Sequence, residues 1–160
     1  MDADEPVELK PTSPRDFPVL RRLFDDPSFA GWGDTSGRMA DADIRAKYLG
    51  GRLPEVECFL VTRGSSPVGL TQLHADSART GGIDLILLSS SRGRGVGRAA
   101  VNALVERART VHEWEYVTVD PDLSNTDGIT FWQAVGFDPV RRLPGTQRRA
   151  PYLLMQRRLD

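Results

Sequence analysis

The chain of 160 residues is the size of one ordinary domain and can enclose a proper core. Hydrophobic residues at 39%, charged residues at 27% and 15 glycines describe a soluble globular protein, excluding disorder, and the longest apolar run, around Ile83–Leu88, is strand-sized, excluding a membrane span. A net charge of −1 offers no bulk attraction for nucleic acid, although acids gather before residue 60 and Arg141, Arg142, Arg148, Arg149, Arg157 and Arg158 crowd the end.

In chain order, Val7–Lys10 alternates as a first strand, and Ser13-Pro14-Arg15-Asp16 signals a helix start whose buried stripe is Leu20, Leu23 and Phe24. Pro27–Met39 is rich in Gly, Ser, Asp and Pro and reads as a loop. A second helix follows from Asp41, with Ile44, Tyr48 and Leu49 on one face. Val56–Thr62 and Val68–Leu73 form a hairpin across Arg63-Gly64-Ser65-Ser66-Pro67. Ile83–Leu88 is apolar on both faces and reads as a central strand. Val96, Ala100, Leu104, Ala108 and Val111 mark a long helix. The remainder reads as strand Trp114–Val119, helix Asn125–Val135, and strands Phe137–Leu143 and Tyr152–Gln156. One mixed α and β domain over residues 1–160, without a linker, is expected.

The acidic N-terminus lacks the pattern of a secretory signal, so a cytoplasmic location is the default expectation. A single cysteine, Cys58, excludes an internal disulfide and, with only His74 and His112 beside it, supplies no zinc set; no metal is expected.

Arg92-Gly93-Arg94-Gly95-Val96-Gly97 falls between a buried strand and a helix start, where unsatisfied N–H groups and the positive helix end form an anion site. Glycines let a phosphate approach the backbone and permit φ above zero, while Arg92, Arg94 and Arg98 add mobile positive charge. The spacing fits neither a P-loop, which closes in Gly-Lys-Ser/Thr, nor the dinucleotide fingerprint Gly-x-Gly-x-x-Gly. An Arg-Gly RNA-binding box belongs in low-complexity sequence, which this is not. A pyrophosphate cradle and an ordinary turn with solvated arginines remain.

Arg92-x-x-Gly95-x-Gly97, after a strand carrying Leu87-x-Ser89, resembles the acetyl-CoA motif of the GNAT superfamily of N-acetyltransferases. Asn125 to Phe137, through Gly128, Phe131, Trp132 and Gly136, is similar to that family's Asn-x-x-Ala-x-x-x-Tyr-x-x-x-Gly-Phe ending at the same spacing. The likeness spans nearly the whole chain and is densest over residues 56 to 140. Within the superfamily, GGIDLIL and VTVDPDLSN resemble the aminoglycoside 6'-N-acetyltransferases, and ADADIRAKYL their second helix. Three features depart: the stretch from Asp84 to the glycine turn is one residue shorter, the acidic insertion before Gly-Ile-Asp is reduced to ADSARTG, and Trp132 replaces a tyrosine.

The resemblance implies the α+β GNAT fold: a mixed, twisted, largely antiparallel sheet with helices on both faces, splayed between the strands ending near Leu88 and Val119, with coenzyme A in the split. It implies acetyl-CoA with its pyrophosphate on Gly93, Arg94, Gly95, Val96, Gly97 and Arg98, and Leu87, Leu88, Ser89, Arg92, Asn125, Phe131 and Trp132 as further contacts. It also implies direct transfer of acetyl to a small-molecule primary amine by a monomer or homodimer. An aminoglycoside 6'-amine leads, another metabolite or peptide amine comes next, and a non-catalytic acyl-CoA sensor is the alternative that Trp132 raises.

Direct transfer needs no thiol nucleophile, and Cys58, in an alternating strand, reads as a small buried residue. The amine must lose a proton, which makes a nearby carboxylate useful. Asp84, costly to bury in an apolar strand, marks either that function or a strand end reaching solvent. An ordinary Asp, near ~3.9, is a weak base, so anchoring the cation matters as much as taking its proton. Asp120 is either a substrate contact or a turn residue before Pro121, and Asn125 either caps its helix or touches the pantetheine arm. Trp32 and Asp34 either wall the acceptor pocket or pack. Tyr152 either protonates the departing thiolate or is structural. The terminal arginines read as solvated strand faces; bordering the pocket, they would repel a polycation.

Overall fold

The computed structural model describes residues 5–32 and 37–160. Seven strands form a mixed sheet, and the described residues carry four α-helices. Two compact units make up the chain: the residues up to His74 with Asp84–Ala103, and Ala75–Ile83 with Leu104–Asp160.

In the first unit, β1 (Val7–Pro11) pairs antiparallel with β2 (Val56–Arg63), Val7 opposite Arg63 and Pro11 opposite Phe59. β2 pairs antiparallel with β3 (Ser66–Ala75) through the two-residue turn Gly64-Ser65, where Gly64 at φ +60 supplies the primed geometry that right-twisted strands require. The strand β4 (Thr80–Leu87) starts three residues earlier than its apolar run. Gly69 permits its close approach to β3, because a Cβ there would come within 2.5 Å of the Ile86 carbonyl. Helix α1 (Phe17–Asp25) is entered through a 3-10 turn at Pro14–Asp16, where the Asp16 carboxylate accepts the Ser13 N–H at 2.9 Å. The predicted loop also contains a 3-10 turn, Pro27–Phe29, which forms because the Asp26 side chain accepts the Ser28 N–H at 2.8 Å.

Strand alternation gives this unit two cores. On one face Leu20, Leu23 and Phe24 of α1 and Ile44 of α2 (Asp41–Lys47) meet Val56, Cys58, Leu60 and Leu70, with Ile86 packed alongside. On the other, Val61, Val68 and Leu87 meet Val96 and Ala100, on the first turns of α3 (Val96–Thr110).

In the second unit, the start of β4 pairs parallel with β5 (Tyr116–Val119) over Thr80↔Tyr116, Gly81↔Val117 and Gly82↔Thr118. β5 pairs antiparallel with β7 (Tyr152–Arg158), and β7 with β6 (Asp138–Leu143), whose register shifts between Pro139 and Arg141, as a proline that cannot donate to a ladder requires. β5 begins at Tyr116 and not at Trp114, because Glu113 turns through φ +55 and the Trp114 N–H goes to the Ala108 carbonyl at 3.0 Å. Helix α4 (Thr126–Ala134) is capped by Asn125, whose Oδ1 accepts the Gly128 N–H at 2.9 Å. Gly136 at φ +99 ends it and turns the fully buried Phe137 inward.

Candidate active site

β4 delivers the chain to the glycine turn through fixed backbone bonds. The Leu88 N–H donates to Val68 O at 2.8 Å, a 3-10 turn follows at Ser89–Ser91, and the Ser89 N–H donates to the Ser28 hydroxyl at 2.9 Å. Arg92 is not the mobile charge its sequence position suggested: Nε donates to the Leu87 carbonyl at 3.2 Å and a terminal nitrogen to Ser28 O at 3.4 Å. Two carbonyls hold its guanidinium as a staple, although the residue is exposed, as Arg94 and Arg98 are.

Gly93 and Gly95 adopt φ +73 and +80, and a Cβ at either would meet nothing within 4 Å. The left-handed backbone demands glycine, and the space above it is open. The first bond of α3 runs from Ala99 N–H to Gly95 O at 3.1 Å, so the N–H groups of Val96, Gly97 and Arg98 precede any intrahelical acceptor. The Leu87 and Val96 side chains are buried in the second core, and with the Leu87 carbonyl taken by Arg92 it is the Val96 N–H that remains for a ligand. Open left-handed turn, first-turn amides and two exposed guanidiniums fit a diphosphate.

The same unit builds a polar site on the other side of β4. Leu85 and Leu87 face α3, so Asp84 and Ile86 face α1 and α2. The buried Thr71 hydroxyl fixes Asp84 by donating to its carbonyl at 2.7 Å. The Asp84 carboxylate, 41% exposed, lies with Oδ2 3.7 Å from His74 Nε2, on a side chain 35% exposed. Trp32 packs edge-on against Tyr48 with ring centroids 6.1 Å apart, and both rings also contact Phe24. Burial pushes the Tyr48 phenol up; a hydrogen bond from Trp32 opposes this, and the nearby Cys58 and Asp84 reinforce it. Cys58 donates weakly to Lys47 O, and burial pushes its thiol up to about 12, so it is neutral and unreactive at physiological pH.

In the second unit Asp120, just past β5, is engaged by Arg149: one guanidinium nitrogen lies 3.1 Å from the carboxylate and donates to the Asp120 carbonyl at 3.0 Å. The Arg149 guanidinium stacks 3.4 Å above the Tyr152 ring. Arg149 is thus not a solvated strand-face residue, because the Asp120 carboxylate and the Tyr152 ring both attract it. Nor is Arg157, which donates to the Val135 carbonyl at 2.9 Å; Arg141, Arg142 and Arg148 are exposed as expected. Asn125 caps α4. Trp132, 7% exposed, packs edge-on to Phe131 and Phe137, so its ring serves the core of this unit.

Of the sequence-predicted residues, the first unit brings Asp84 and Trp32 onto one face and holds Leu87 to Arg98 in one turn, while the second holds Asp120 and Tyr152 around Arg149. Asp34 lies outside the described residues. Two further candidates were missed. Tyr48 was read only as core. His74 had a signal, since Leu70, Gln72 and His74 alternate onto the face of Asp84. Arg149 was named among the terminal arginines, with solvated faces and a pocket border as the two readings, but its partner Asp120, 29 residues away in sequence, had no signal.

The chain matches the acetyltransferase (GNAT) family over residues 17–137 and belongs to that family. It is 26% identical over 141 residues to the aminoglycoside N(6')-acetyltransferases type 1 of Klebsiella pneumoniae and of Serratia marcescens, covering 79% of this chain and 70% of each relative. Its fold superposes on AAC(6')-Ib in complex with ribostamycin and coenzyme A at a TM-score of 0.82, with 24% identity over 95% of this chain and 93% of that one. Spermidine N-acetyltransferase from Vibrio cholerae, in complex with CoA and spermine, also gives 0.82, at 14% identity and 96% and 95% coverage. The protein is an N-acetyltransferase that uses acetyl-CoA. Among the described residues no helix is long and apolar enough to cross a membrane, and no group of side chains is suited to a metal ion.

Proposed function

We propose that this enzyme acetylates a primary amine on a small, cationic molecule, with an aminoglycoside 6'-amine as the leading acceptor. The observation that carries the reading is Asp84: a part-exposed carboxylate on the sheet face shared with Trp32 and Tyr48, in the Gly-Ile-Asp context resembling the aminoglycoside enzymes. A carboxylate beside aromatic rings suits an ammonium, which gains from the charge and from the ring faces.

The amides of Gly93 to Arg98, with Arg94 and Arg98, would hold the coenzyme's diphosphate. When bound, acetyl-CoA supplies an activated acetyl thioester. Asp84 holds the acceptor ammonium, Trp32 and Tyr48 limit the water around it, and the neutral Cys58 thiol leaves direct transfer to the amine as the route. Tyr152, whose ring stacks under Arg149, carries a phenol O–H and is the proton donor candidate for the leaving thiolate.

A second reading, a less charged metabolite or peptide amine, is favoured by Arg149, whose contact with Asp120 offsets a negative charge that a polycation would seek. Thiol release from acetyl-CoA, measured with aminoglycosides, spermidine, simple monoamines and short peptides, separates the two. Turnover on aminoglycosides is expected, and Asp84→Asn lowers kcat on the order of 100-fold while calorimetric acetyl-CoA affinity stays within about twofold. Turnover confined to monoamines or peptides replaces the leading acceptor. An Asp84→Asn rate equal to wild type removes Asp84 from the site.

A further inference from the structure

We infer that His74 is the group that takes the proton from the acceptor amine, with Asp84 as its partner anion; the inference rests on the acceptor reading above. Asp84 alone is poorly matched to the task. A carboxyl titrates ordinarily near ~3.9 and an imidazole near ~6.5, and efficient general bases titrate near the working pH.

Geometry brings both groups to one place. His74 ends the buried run of β3 on the face toward which Asp84 projects from β4. The 3.7 Å between Nε2 and Oδ2 is too long for a hydrogen bond between them. It is short enough for one ammonium nitrogen to reach both atoms at about 2.9 Å. Both side chains are about one-third exposed or more, so an acceptor can reach them, and the Thr71 bond to the Asp84 carbonyl keeps the carboxylate's strand in place.

The charges around His74 are consistent with the role. β2 presents uncharged Val56 directly opposite it, and Cys58 beyond is a neutral thiol. The end of α2 contributes the Tyr48 phenol, kept neutral by burial, and Arg52 acts on both Tyr48 and Cys58. Along the chain Asp76 is the nearest carboxylate, and from β4 it is Asp84 that faces the ring.

The step balances. One ammonium proton passes to the neutral imidazole, and the resulting imidazolium is stabilised by Asp84. The freed nitrogen lone pair forms the C–N bond at the acetyl carbonyl while the C–S bond breaks, and the sulfur leaves with the bonding pair. A second nitrogen proton ends on the thiolate, the third stays on the amide, and His74 returns its proton to solvent.

The test compares His74→Gln and His74→Asn with wild type on the amine that wild type acetylates best. In both variants kcat is expected to fall on the order of 100-fold with acetyl-CoA affinity and melting temperature unchanged, and the pH profile of kcat/KM departs from that of wild type. Added imidazole is expected to restore rate to His74→Ala with a rise on raising pH, which a structural role would not produce. Retained rate and pH profile in both variants, or no rescue by imidazole, overturns the assignment while leaving the acceptor reading intact. Absence of wild-type turnover on every amine removes that reading, and this inference with it.

Discussion

Arg149 lies 3.1 Å from the Asp120 carboxylate and 3.4 Å above the Tyr152 ring, so its charge is fixed in direction by one anion and one π face. Both members of the ion pair are roughly 40% exposed, with side-chain exposures of 37% and 44%, and such pairs contribute ~0–1 kcal/mol to stability. The pair therefore adds little to folding stability. Under the acceptor reading proposed above, Arg149 would offset the negative charge that Asp120 offers a polycation. Arg149→Ala exposes the carboxylate, and kcat/KM for a polycationic amine is expected to rise about 5-fold, equivalent to ~1 kcal/mol, while a monoamine changes less than twofold. Arg149→Lys keeps the charge but loses the planar stack, and should leave the polycation rate near wild type. Equal changes for both amines in Arg149→Ala would mean that Arg149 does not sense acceptor charge.

At the scale of elements, the turn between β4 and α3 concentrates what distinguishes this chain from an inert scaffold. Gly93 and Gly95 hold φ +73 and +80, where any side chain adds ~1–2 kcal/mol of strain. Gly93→Ala and Gly95→Ala should therefore lower stability by about that much and weaken acetyl-CoA more than 10-fold, as read by calorimetry. Gly50→Ala is the control: at φ +90 beyond α2 it carries the same backbone penalty outside the cradle, and its acetyl-CoA affinity should match wild type. Matched affinities in all three variants would dissociate the turn from the coenzyme. Much of this scale was legible in the sequence. Ser13-Pro14 announced the entry to α1, the Gly64 turn fixed the hairpin, and Asn125 announced the cap of α4, because each signal is local. The start of β5 was not legible, since it depends on a left-handed Glu113 and a bond from Trp114 back to Ala108, neither of which composition encodes.

At the scale of the whole molecule, legibility divides by range. The glycine turn could be read because strand, turn and helix are contiguous, and Asp84 because an acid interrupts an apolar run. Longer-range partners could not: Arg92 reaches back to Ser28 and Arg149 finds Asp120, contacts set by tertiary folding, while strand alternation puts His74 on the face of Asp84 without fixing their 3.7 Å approach. The same division sets a test that reads the entire fold. A ligand that binds only the native chain stabilises it by RT ln(1 + [L]/Kd), about 2.7 kcal/mol at 100 times Kd. For a chain of this size each kcal/mol moves the melting temperature by roughly 2–4 °C, so acetyl-CoA at that excess should raise it by roughly 5–11 °C. Acetyl-pantetheine carries the same thioester without the diphosphate. If the amides of Gly93 to Arg98 and the cations of Arg94 and Arg98 are the anchor, it should raise the melting temperature by less than 1 °C at the same concentration. Equal shifts from the two compounds would move the anchor from the glycine turn to the pantetheine arm, and no shift from acetyl-CoA would remove the cradle altogether.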